Sequence, residues 1–128
     1  MRFQWKEFGG SPRVLHRERM YVTLRPRGEI FLNGKAYERL GSPEAAVLLY
    51  DENTRTIGVR PADPELPNAF RFVRKGNEGR RKIYACSFCR HFKLKPEKTL
   101  AFHKVKIDDG VLLLDLESAV EVSRGEWQ

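Results

Sequence analysis

The chain has 128 residues and a formal net charge of +7, the size of one domain or of two intimately packed halves. With 41% hydrophobic and 32% charged residues it can build a core and stay soluble, and no apolar run reaches the roughly 18 residues of a membrane helix. The charge is uneven: residues 71–106 carry twelve Lys/Arg against two acids, and residues 107–128 carry one against six, so a block that attracts polyanions stands beside an acidic end.

Residues 1–20 mix Phe3, Trp5 and Phe8 with basic residues and a Gly9-Gly10-Ser11-Pro12 break, and read as a basic aromatic arm. They hold no apolar secretory segment, so a cytoplasmic location is expected. Tyr21–Leu24 and Glu29–Leu32 predict strands around the turn Arg25-Pro26-Arg27-Gly28, where Pro presets φ and Gly supplies a left-handed position. Asn33 has N-cap chemistry for a short helix, Lys35–Leu40, that stops at Gly41. Ala46–Tyr50 and Thr56–Arg60 predict a hairpin around a polar turn. The Pro-containing stretch 62–69 is the linker.

Ala69–Lys75, a turn at Gly76-Asn77-Glu78-Gly79, and Lys82–Ala85 predict a second pair of strands. Ser87–Leu94 follows as a helix. Thr99–Ile107 and Val111–Leu116 form a last hairpin around Asp108-Asp109-Gly110. An offset of about 53 positions places Ile30-Phe31-Leu32 on Ile83-Tyr84-Ala85 and Pro43-Glu44 on Pro96-Glu97, which predicts an internal repeat. The expected fold is α+β, a mostly antiparallel β-barrel from two ββαββ repeats, residues 21–61 and 70–116, in a single-chain pseudo-dimer. An acidic tail, 117–128, completes the chain.

The run from Tyr21 to Asn33, followed by Leu40-Gly41 and by Val59-Arg60-Pro61, resembles the AbrB/MraZ-type family of regulators. The resemblance covers residues 21–61, and reaches 70–115 only through the repeat. It implies a swapped-hairpin barrel that binds DNA with the basic loops between its first two strands. Two positions depart from the family pattern: Glu29 stands where Arg is usual, and Asn33-Gly34 where Pro opens the helix. Carried over, the loop contacts are Arg25 and Arg27, and in the second half Arg74, Lys75, Arg80, Arg81 and Lys82. Arg71, one turn of the alternation earlier, joins them. Chemistry points the same way, since Arg forks read guanine edges and Lys neutralises phosphate. Basic hairpin tips also serve to blunt sheet edges.

Cys86 and Cys89, with His91 and His103, are of zinc-ligand type, but their spacing fits no ordinary finger, and free Cys commonly fills core space. No metal or cofactor is therefore expected. Asp108-Asp109 and Asp115/Glu117 read as solvated carboxylates, and no phosphate loop or nucleophile elbow occurs, so no enzyme is expected. The reading is a duplex-DNA-binding regulator, with homo-oligomer formation left open. The alternatives are a single-strand binder, using Phe70, Phe72, Tyr84 and Phe88 interleaved with Arg71 and Arg74, and a protein-interaction module.

Overall fold

A computed structural model describes residues 3–7, 19–76 and 78–122. Most of the expected arm (1, 2 and 8–18, with His16), Asn77 of the second turn and the tail beyond 122 lie outside the described residues.

The first half runs β1 (Val22–Leu24), β2 (Glu29–Leu32), α1 (Gly34–Arg39), β3 (Ala45–Asp51) and β4 (Thr56–Ala62). Asn33 caps α1 through its side-chain oxygen, which accepts from the Ala36 amide at 2.9 Å, satisfying one of the free amides of a helix start. The second half runs β5 (Phe70–Arg71), β6 (Val73–Arg74), β7 (Arg81–Tyr84), α2 (Cys86–His91), β8 (Thr99–Phe102), β9 (Lys106–Asp108) and β10 (Val111–Asp115). A 3₁₀ turn, Leu116–Ser118, leads to β11 (Val120–Val122). No helix among the described residues is long and apolar enough to cross a membrane.

These strands form two antiparallel sheets, ordered β11-β8-β1-β2-β7-β6 and β5-β3-β4-β10-β9. The expected α+β barrel is not what the chain forms. Its helices are two six-residue segments, and among the described residues no ladder joins one sheet to the other, so nothing closes. Two breaks explain the difference. The expected strand 69–75 is interrupted at Phe72, whose amide donates to the Glu44 carbonyl, so β5 pairs with β3 while β6 pairs with β7 in the other sheet. The expected strand 99–107 is likewise divided: β8 pairs with β1, and β9 with β10. Strands that change sheet at such corners build an open sandwich. The segment expected as a tail opens in the 3₁₀ turn and then contributes a strand, since β11 pairs with β8.

Both sheets and both helices share one core. Val22, Leu24, Ile30, Leu32 and Ile83 come from one sheet and Ile57, Val59, Leu112 and Leu114 from the other, with Ala36, Phe88 and Cys89 from the helices. The period of two is plain in β10, where Leu112 and Leu114 are buried and their neighbours are not. Ile30 stands opposite Ile83, and Val59 opposite Leu112; each pair is separated by the 53 positions of the sequence offset.

The two halves lean on each other through their turns. A side-chain carbon added at Gly28, in the β1–β2 turn, would lie 2.9 Å from the Cys86 Cα, and one added at Gly34 would run into the Glu78 carbonyl oxygen. Each turn therefore rests against the start of the other half's helix, with room for hydrogen alone.

Candidate nucleic-acid interface

The eight basic residues singled out from the sequence fall on the β1–β2 turn and on the β5–β7 segment. Because β2 and β7 are antiparallel, with Glu29 opposite Tyr84 and Leu32 opposite Arg81, the β1–β2 and β6–β7 turns leave from opposite ends of that pair. Three rungs at about 3.4 Å per residue make the separation roughly 10 Å, and the turns themselves reach somewhat farther.

The structure engages five of the eight. The Arg25 guanidinium sits 4.1 Å from the Phe31 ring centre, and that of Arg81 4.6 Å from Tyr37. Arg71 pairs with Glu65 at 3.6 Å and Arg80 with Glu78 at 2.9 Å, both exposed and therefore easily exchanged for another anion. Lys82 differs. Its ammonium lies 3.4 Å from the Glu29 carboxylate and 4.5 Å from the Tyr84 ring centre, with both charged side chains largely covered. Tyr84 first, opposed by partial loss of water and helped by Glu29, holds the Lys82 ammonium above the ordinary lysine value. Lys82 is thus a structural cation rather than a free contact. Arg27, Arg74 and Lys75 are exposed and make no ion pair or ring contact among the described residues.

The tip of the second hairpin is electrostatically unbalanced. Arg74 stands directly opposite Arg81, and the next rung, where the Lys75 amide donates to the Arg80 carbonyl at 3.0 Å, is also cationic. Like charges facing each other across a ladder are destabilising. Glu78, already engaged by Arg80, is the acid described within this tip.

The aromatic residues do not form a stacking platform. Phe31 and Phe88 are buried, and Phe70 and Phe72 pack against the core, which leaves Tyr84, 53% exposed, beside Lys82. Phe3 and Trp5, in the described piece of the arm, are exposed with ring centres 5.3 Å apart.

The zinc-type residues are dispersed. Cys86 is exposed and Cys89 buried; His91 packs on Phe92 and His103 on Tyr21. Among the described residues no three His, Cys, Asp or Glu side chains converge on a metal position. Burial, with the neighbouring Cys86 adding to it, pushes the Cys89 thiol up to about 11, so the neutral thiol is its favoured form near neutral pH.

Sequence reasoning missed one cationic group. Arg55, from the β3–β4 turn, and Lys93 and Lys95, from the segment after α2, line a single cavity. The one trace in the sequence is that α2 lacks the glycine stop that follows α1. No protein-family model, curated protein or solved structure matches this chain.

Proposed function

We propose that the protein binds duplex DNA through its basic turns, as a regulator does. The observation that carries this reading is the pair Arg74 and Arg81, facing each other at a hairpin tip with a second cationic rung beside them. Arg81 is held on the Tyr37 ring while Arg74 has no anionic partner among the described residues, and a phosphate bound by the two side chains would convert their repulsion into charge-assisted contacts. The two turns leave opposite ends of the β2–β7 pair, so their cations can meet separate stretches of one duplex backbone. Arg27 at one end and Arg74 with Lys75 at the other then neutralise phosphates at separate points of that backbone. The resemblance of residues 21–61 to AbrB/MraZ-type regulators supports the role of Arg25 and Arg27, without the barrel that it implied.

Single-strand recognition on the sheet face is the weaker reading, since it needs accessible rings and Phe31, Phe70, Phe72 and Phe88 are taken up in packing. The test is an anisotropy titration of a random 20-base-pair duplex and of its single strand across a salt series. For the variant Arg27→Ala/Arg74→Ala/Lys75→Ala, duplex affinity should fall by roughly a hundredfold, and the slope of log K against log salt should flatten by about two to three. A folded triple variant with unchanged affinity and slope removes the proposal, and a preference for single strands replaces it with the sheet-face reading.

A further inference from the structure

The end of β1, the β3–β4 turn, the segment after α2 and the 3₁₀ turn converge on a cavity of about 210 Å³. Arg55, Lys93 and Lys95 line it with exposed cationic side chains, and the partly exposed Leu100 and Leu116, backed by the buried Leu24, supply an apolar wall. No carboxylate lines the cavity, and none of the three cations forms an ion pair among the described residues.

The backbone makes the cations harder to dismiss as surface chance. Arg55 and Lys93 both have left-handed backbone, with φ of 54° and 57°, where Gly, Asn or Asp is the comfortable residue. The equivalent stop after α1 is Gly41. The turns themselves therefore do not account for an Arg and a Lys at these positions, and no internal partner does either.

We infer that this cavity is a binding site for a small organic anion, an anionic head on a short apolar body, as in a short-chain phosphate monoester. Arg55 offers a planar fork and the two lysines offer compact charges to the head, while the leucine wall takes the body. The volume is below the roughly 300 Å³ at which sites for drug-sized ligands begin, which limits the occupant to a handful of heavy atoms. None of the residues lining this cavity belongs to the basic turns assigned to DNA, so the two sites can be tested separately.

The probe is butyl phosphate, titrated calorimetrically into the full chain beside inorganic phosphate and butanol. Butyl phosphate should bind, inorganic phosphate should bind at least tenfold more weakly, and butanol should give no saturable heat. The variant Arg55→Asn/Lys93→Gly places residues suited to left-handed backbone at both positions, so its thermal midpoint should be equal or higher. Its affinity for butyl phosphate should nevertheless fall at least tenfold. Absence of butyl phosphate binding overturns the inference, as does equal affinity in the double variant. Inorganic phosphate binding as tightly as the ester removes the apolar wall from the site, and with it the proposed ligand class. Loss of duplex affinity in the double variant, with no butyl phosphate binding by the parent, assigns these cations to the nucleic-acid surface instead.

Discussion

The Cys86 thiol donates a hydrogen bond to the Arg27 carbonyl oxygen at 2.7 Å, so the first residue of α2 holds the backbone of a turn from the other half. The neighbouring Ala85 amide donates to the Gly28 carbonyl at 2.8 Å. With two hydrogen bonds and a close contact at Gly28, the direction in which Arg27 projects is set by the second half of the chain.

The two close approaches yield a pair of substitutions. Gly28 combines φ of +89° with a contact at 2.9 Å, so Gly28→Ala should destabilise the protein by about 2 kcal/mol or more. Gly41→Ala, at φ of +101° with nothing near, isolates the backbone part and should cost about 1 kcal/mol. Gly34→Ala is the sharper test. Alanine is ordinarily better than glycine in a helix by roughly 0.5–1 kcal/mol, yet here its methyl meets the Glu78 carbonyl, so urea denaturation should show a loss of about 1–3 kcal/mol. A gain in stability would mean that the Glu78 turn does not rest on α1.

Lys82 gives a pH dependence. Its ammonium is favoured in the folded state by Tyr84 first, and by Glu29, so its folded value lies above the roughly 10.4 of an unfolded lysine. The associated stabilisation is complete below about pH 10 and is lost as pH rises through the folded value. Chemical denaturation should therefore show a constant difference between the parent and Lys82→Met up to about pH 10, shrinking beyond it. A difference that stays flat to pH 11.5 would leave Lys82 without this role.

Cys89 acts in the same sense at lower pH. The buried thiol stands at about 11 against roughly 8.5 in an unfolded chain. Folding thus favours the neutral thiol, and this stability is present below about pH 8.5 and declines as pH climbs towards 11. Cys89→Ala should remove that decline. In a thiol-reagent assay at pH 8, one cysteine, Cys86, should react at once and the other after unfolding; two fast thiols would contradict the packing of α2.

The facing arginines make a prediction in which stability and affinity move in opposite directions. Replacing a like-charge pair by an opposite-charge pair, as in Arg74→Glu, should stabilise the fold by about 0.2–1 kcal/mol. The same change should weaken duplex binding more than Arg74→Ala does. A destabilised Arg74→Glu would show that the repulsion is already relieved within the protein.

Local chemistry made much of this legible. Asp109 and Gly110 have φ of 51° and 78°, the two positive values of a type I′ hairpin that their sequence predicts, and Asn33 caps the helix that its side chain announces. The sheet arrangement was not legible, because the interruption at Phe72 depends on Glu44 lying within reach of its amide, and three residues of β11 are too few to display a period. In the site, the basic block was visible as composition. Its division into engaged and free cations was not, since Glu29 meets Lys82 across 53 positions of chain and no local pattern records that meeting.

The pairing of β1 with β8 has a consequence for how the chain is made. Val22 stands in register opposite Phe102, about 80 positions downstream, and at about 5–20 residues per second synthesis takes some 4–16 s to cover that distance. Throughout this interval β1 has a neighbour on the β2 side alone, and its other edge, with Val22 and Leu24, stands open. A nascent chain of this design is exposed to mispairing along that strand until the second half emerges, so the strand most in need of a chaperone is the one that waits longest for its second neighbour.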